Sequence, residues 1–173
     1  MRRLLLLRHA KAAPHDPARD HARGLIERGR ENAKRMGEII AGEKWPVDMV
    51  VHSGARRAKE TALIAHAELP QGVPVSVEPR LYEATAAGFV AALRDLPDSA
   101  QTIVVVGHNP SLAEAAAGLA HGGDKAALAR MAAKFPTAGL AVIEFDLAHW
   151  TDLSADKGRL AAFLTPSTLP EDD

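Results

Sequence analysis

The chain has 173 residues, 47% of them hydrophobic, enough for one domain (residues 1–173) with a sizeable core. Lysine and arginine together number 21 against 22 acidic residues, a formal charge of −1, so no broad basic surface for nucleic acid or an anionic membrane is expected. Cysteine is absent, which removes disulfides, thiolate metal sites and a cysteine nucleophile and is compatible with a cytoplasmic location.

Met1-Arg2-Arg3 followed by four leucines superficially resembles a secretory leader, but the apolar run is about half the usual minimum and stops at Arg8-His9-Ala10-Lys11. No stretch approaches the roughly 18 apolar residues of a membrane span. A short apolar run without a turn residue reads instead as a buried strand. Ligands of open α/β sheets bind beyond the carboxyl ends of strands, so the Arg8-His9 pair is expected to project into a crevice. Residues 12–23, with Pro14 and Pro17, form a loop that could border it.

From Gly24 to Glu43, Ile26, Ala33, Met36 and Ile40 recur at helical spacing, with Pro46 as a stop signal. A strand over Asp48 to His52 and a helix over Ala55 to Glu68, buried through Ala58, Ala62 and Ala65, follow. Val75–Val77, set between Pro74 and Pro79, reads as a short or edge strand. Tyr82-Glu83-Ala84 falls in a loop, and Phe89, Val90, Leu93 and Leu96 outline another helix. Ile103-Val104-Val105-Val106 shows no polar alternation, which implies a central strand buried on both faces. Asn109-Pro110 then opens a helix, with Asn109 as N-cap and Pro110 at its first position. His121-Gly122-Gly123-Asp124 breaks that helix, and another is expected over Lys125 to Lys134. Leu140 to Phe145 and the stretch Leu160 to Leu164 read as strands paired antiparallel, and residues 170–173 are expected to fray. The alternation predicts a three-layer α/β/α sandwich with a mostly parallel central sheet and an antiparallel edge strand.

Three strand exits carry the chemistry: Arg8-His9, Ser53-x-x-Arg56 and Gly107-His108. Neighbouring strands lie about 5 Å apart, so these exits would bring two arginines and two histidines together on one sheet edge. Arginines grip phosphoryl oxygens in bidentate fashion, a neutral imidazole can attack phosphorus, and a second histidine can donate a hydrogen bond. The helix dipole beyond Asn109 also favours an anion. No metal or other cofactor is called for. The His15-Asp16 and Asp20-His21 groups match no metal-site spacing, Arg57 and Lys59 read as a solvated helix face, His52 as a hydrogen-bonded, partly buried histidine, and Thr61 and Thr137 as supporting positions.

On these residues the chain resembles the histidine phosphatase superfamily, whose mark is an Arg-His pair ending the first strand. Asp20-x-x-Arg23-x-Leu25, Ser53-x-Ala55-Arg56-x-Ala58-x-x-Thr61-Ala62, Leu81-Tyr82-Glu83-Ala84, Gly107-His108-Asn109-Pro110 and Phe135-Pro136-Thr137-Ala138 are similar to its small SixA-type branch, described as phosphohistidine phosphatases. Ala10 stands where glycine is frequent after the Arg-His pair, and Gly54 where proline is frequent after the serine. The resemblance implies a phosphoglycerate mutase-like fold and a metal-independent phosphatase without cofactor. His9 would become phosphorylated, Arg8, Arg56 and His108 would bind the phosphoryl group with Asn109 beside them, and Glu83 would be the candidate general acid. The chain lacks room for large cap insertions, so an open site acting on a histidine-phosphorylated protein, as a monomer, is expected. A small-molecule phosphomonoesterase and a non-catalytic phosphate-binding module are the alternatives.

Overall fold

In a computed structural model, residues 1–43 and 45–169 are described; the expected fraying of 170–173 lies outside the described residues. In chain order the elements are β1 (Arg2–Arg8), α1 (Glu27–Gly42), β2 (Met49–His52), α2 (Arg56–His66), β3 (Val75–Val77), α3 (Ala86–Arg94), β4 (Thr102–Gly107), α4 (Ser111–Leu119), β5 (Ala120–Gly123), α5 (Lys125–Ala133), β6 (Leu140–Phe145) and β7 (Gly158–Leu164). The strands form one sheet in the order β3-β2-β4-β1-β6-β7-β5.

The leucine run of β1 is the middle of that sheet, and successive side chains point to opposite faces. Leu4 and Leu6 join Phe89 and Leu93 of α3 and Leu112 of α4 in one core cluster. Leu5 and Leu7 join Ala33 and Met36 of α1 and Ala58 and Ala62 of α2 in the other. Both faces are thus covered by helices, which is why β1 and β4 read as continuous apolar runs instead of alternating ones. Among the described residues, no helix is long and apolar enough to cross a membrane.

β1, β2, β3 and β4 run parallel, in the registers Arg8 opposite Gly107 and His52 opposite Val106. This register brings the ends of β1, β4 and β2 level, so the three motifs leave the sheet side by side. The reversed strand is β6, antiparallel to both β1 and β7. It lies inside the sheet, not at an edge as the sequence suggested, because β7 pairs along its other side; β5 then extends the sheet by pairing with β7. The segment expected only to break a helix is therefore also an edge strand. It escapes a hydrophobic reading because Gly123, at φ +121°, has no room for a side chain: a Cβ there would meet the Leu160 carbonyl oxygen at 2.4 Å.

Candidate active site

His9 is the first residue beyond β1. Its N–H donates to the Gly107 carbonyl of the neighbouring strand at 3.0 Å. The next residue, Ala10, donates its N–H to Thr61 Oγ1 at 3.0 Å, and that hydroxyl donates in turn to the Arg57 carbonyl at 2.7 Å. One buried threonine thus ties the segment after His9 to the first turn of α2. α1 closes on the same segment at Gly29, where a Cβ would stand 2.1 Å from the Lys11 carbonyl oxygen.

The His9 ring is buried, 8% exposed, with Nδ1 2.8 Å from the Ala10 carbonyl oxygen. A carbonyl only accepts, so Nδ1 carries the proton and the lone pair is on Nε2. Burial, reinforced by the charges of Arg57, Arg8 and Arg23, pushes its pKa down to about 4 against the opposing pull of that backbone hydrogen bond. The imidazole is neutral at physiological pH, the state a nucleophile requires.

His108 packs its ring 5.1 Å from that of His9, centroid to centroid. Burial and then the neighbouring His9 and Arg57 push its pKa down to about 3, so it too is neutral. Its Nε2 lies 2.6 Å from Ser53 Oγ, which already accepts the Ala55 N–H at 3.3 Å. The His108 Nδ1 is buried without a hydrogen-bond partner, as are Nε of Arg8, Nε of Arg57 and Oδ1 of Asn109. Buried polar groups left unpaired are costly unless a ligand completes them.

The arginine from α2 is Arg57, which corrects the sequence reading. Arg56 points outward, its side chain 63% exposed, and pairs with Glu60 one turn on at 2.7 Å. Arg57 is buried: one guanidinium nitrogen donates to the Asp20 carbonyl at 2.7 Å, the other to Asp20 Oδ2 at 3.2 Å. Helical phase explains the exchange. Ala58, Thr61, Ala62 and Ala65 face the sheet, and position 57 lies four residues before Thr61 on that side, whereas 56 and 60 share the outer face.

Asp20, in the 3-10 turn Asp20–Ala22 of the 12–23 loop, is the hub of the site wall. It accepts the Tyr82 hydroxyl at 2.5 Å and Arg23 at 3.1 and 3.2 Å, besides Arg57. The Tyr82 hydrogen bond, then Arg57 and Arg23, hold its carboxyl well below the usual carboxylate range, while the same bond pushes the Tyr82 phenol up to about 12. The Tyr82 ring stands edge-on to His108 at 5.6 Å and to His21 at 4.9 Å. The loop expected to border the site therefore does so and supplies a residue, Asp20, that periodicity does not reveal.

Two further candidates have other tasks. α4 begins at Ser111 with no side-chain cap, so Asn109 is not an N-cap. Its amide nitrogen donates instead to the Phe135 carbonyl at 2.9 Å, the same oxygen that Arg8 reaches at 3.0 Å. Asn109 thus shares the anchor that holds Arg8. Glu83 is exposed at φ +54°, with no hydrogen bond to the histidines. His52 is buried and accepts the Gly54 N–H through Nδ1 at 3.1 Å, turning the chain toward Ser53. Among the described residues, no group of three histidine or acidic side chains could hold a metal ion.

The sequence profile described as "Histidine phosphatase superfamily (branch 1)" matches residues 4–89. An uncharacterized protein of Mycobacterium tuberculosis (strain H37Rv) is 35% identical over 162 residues, covering 92% of this chain and 99% of its own length. Among solved structures, a protein assigned as phosphohistidine phosphatase SixA from Agrobacterium tumefaciens superposes with TM-score 0.77 at 28% identity, over 95% of this chain and 98% of that one. Its counterpart from Nakamurella multipartitia gives TM-score 0.82 at 28% identity, over 95% and 96%. The register that levels three strand ends, the paired neutral histidines and these likenesses lead to one conclusion: the chain belongs to the histidine phosphatase superfamily, in its SixA-like branch.

Proposed function

We propose that this phosphatase removes the phosphoryl group from phosphohistidine on a protein through a phospho-His9 intermediate, acting as one domain without a metal or other cofactor. The observation that carries the reading is a neutral, buried His9 with its Nε2 lone pair free, packed 5.1 Å ring to ring against His108 and set in the field of Arg8 and Arg57, guanidinium donors whose Nε atoms are buried and unpaired. Nε2 attacks phosphorus, the bond from phosphorus to the substrate imidazole breaks, and that imidazole leaves after taking a proton from solvent. Water then attacks phosphorus, the bond to His9 Nε2 breaks, and orthophosphate departs. The donors stabilise the charge on the equatorial oxygens in both steps.

The substrate class is supported by the acids around the site. Asp20 is held ionised by Tyr82 and two arginines, and Glu83 is exposed without a hydrogen bond to the site. Neither is positioned to hand a proton to a departing alkoxide. A protonatable imidazole leaves without a positioned acid. Phosphate release from a phosphohistidine-carrying protein and from p-nitrophenyl phosphate, in EDTA, tests the proposal. Wild type is expected to turn over the phosphohistidine protein and to trap an acid-labile phosphoryl label, both lost by at least about a thousandfold in His9→Ala. Turnover persisting in His9→Ala overturns the mechanism; a preference for small esters over the protein overturns the substrate.

A further inference from the structure

On the carboxyl edge of the sheet, beside the His9 pocket, a cleft of about 240 Å³ opens between α1, the segment after β1, the 134–137 segment and the 3-10 turn Pro166–Thr168. Lys11, Arg28 and Lys134 line it together with Asn32, Thr137 and Ser167, and no acidic side chain does. Several other cations on this side of the molecule are neutralised: Arg23 by Asp20, Arg30 and Arg56 by Glu60. Lys11, Arg28 and Lys134 form no ion pair among the described residues. In a chain of net charge −1, three uncompensated cations around one concavity make a local positive field.

The cleft is joined to the pocket through the backbone. Lys11 follows His9 by two residues, so their Cα atoms are at most about 7 Å apart. Thr137 precedes Ala138, whose N–H is shared by the carbonyls of Arg8 and His9 at 3.1 Å each. We propose that this cleft is an anion subsite that receives a carboxylate side chain of the phosphorylated protein, from a residue within about three positions of the phosphohistidine, a span of about 10 Å of extended chain. The three cations supply attraction, and Asn32, Thr137 and Ser167 supply neutral donors for the carboxylate oxygens. The inference rests on the phosphohistidine reading of the His9 pocket and adds sequence preference to it.

The test compares two phosphohistidine peptides that differ only in glutamate against glutamine at the flanking positions, using wild type and the triple variant Lys11→Gln, Arg28→Gln, Lys134→Gln. The quantity read is the ratio of kcat/KM for the acidic over the neutral peptide, which cancels any general effect on turnover. Wild type is expected to favour the acidic peptide about tenfold, through KM, with the ratio falling toward one in the variant. The preference should also shrink between 50 mM and 500 mM salt, as screening requires. A ratio near one in wild type, or a preference that survives in the triple variant, overturns the subsite. A preference for a small bisphosphate over its monophosphate, absent from the peptides, overturns the protein source of the anion. Failure of the phosphatase reading looks different: neither peptide nor p-nitrophenyl phosphate is hydrolysed. Anisotropy of the same two peptides, labelled and bound to wild type and triple variant, then decides the subsite by the same ratio.

Discussion

Two clusters a few ångströms apart satisfy their polar groups in opposite ways. Around Asp20 hydrogen bonding is dense: one carboxylate takes the Tyr82 hydroxyl and both Arg23 and Arg57. Around His9 it is left incomplete, with Nδ1 of His108 and Nε of Arg8 and Arg57 buried and unpaired. Arg57 belongs to both, anchored by its terminal nitrogens in the first and offering Nε beside the second. The contrast is the division of labour that the proposed reaction calls for, a saturated wall holding in place the groups that an incoming phosphoryl group would complete.

The sharpest way to break this comparison is to remove the shared residue and, separately, its neighbour. Arg57→Ala is expected to lower kcat/KM for the phosphohistidine protein by about a hundredfold to a thousandfold, as loss of an oxyanion donor does. Arg56→Ala removes only an exposed i,i+4 pair with Glu60, worth about 0.3–0.5 kcal/mol, and should leave kcat/KM within about threefold of wild type. Equal losses in the two variants would mean that the arginine assignment is wrong.

The incomplete cluster also makes stability depend on pH. Unfolded, each histidine gains its proton near pH 6.5; folded, His9 does so at about 4 and His108 at about 3. Between these limits the unfolded chain binds more protons, so stability contributed by the two neutral rings is complete above pH 6.5 and is lost as the pH falls. The slope is up to about 1.4 kcal/mol per pH unit for each histidine. Urea unfolding midpoints measured from pH 7 to pH 4.5 check this: His108→Gln should flatten the curve, and an unchanged slope would remove the burial argument.

The saturated cluster is probed by Asp20→Asn. The amide still accepts from Tyr82 but no longer neutralises Arg57, whose guanidinium stays buried. A loss of about 2 kcal/mol in stability is expected, below the range for fully buried pairs because Asp20 is partly open to solvent. A rise in KM of about tenfold with a smaller change in kcat should accompany it. Tyr82→Phe, which deletes one hydrogen bond and leaves both arginines on Asp20, should cost only about 1 kcal/mol.

The two clusters were not equally legible in the sequence. β1 and β4 announce themselves as apolar runs because both their faces are covered, and the residues ending them, His9 and His108, follow directly. Apart from Arg57, the incomplete cluster is therefore readable from strand ends alone, down to Ser53. The helical partner is harder, because an error of one residue in where α2 begins exchanges Arg56 for Arg57. The burial of Thr61 together with the complementary charges at 56 and 60 is the signal that fixes the phase. The Asp20–Tyr82 bond joins residues 62 apart in the chain, and no local pattern encodes such a contact. β5 was hidden for a different reason: a strand of Ala120, His121 and two glycines buries too little apolar surface to show a period.

The smallest expected effect tests whether the site needs an acid at all. If Glu83 protonated a leaving group, Glu83→Gln would lower kcat by about a hundredfold to ten-thousandfold. Its exposure and its lack of a hydrogen bond to the histidines instead place it outside the incomplete cluster, so the expected change with the phosphohistidine protein is within about threefold. The comparison becomes decisive when the same variant is assayed on an alkyl phosphate, whose alkoxide must be protonated as it leaves. With no acid in the site, wild type should be slow on that ester and Glu83→Gln no slower. A large loss confined to the alkyl ester would make Glu83 an acid that reaches the pocket only with substrate bound, and would turn the preference for an N–P bond from a consequence of the site's build into a property of the substrate's leaving group.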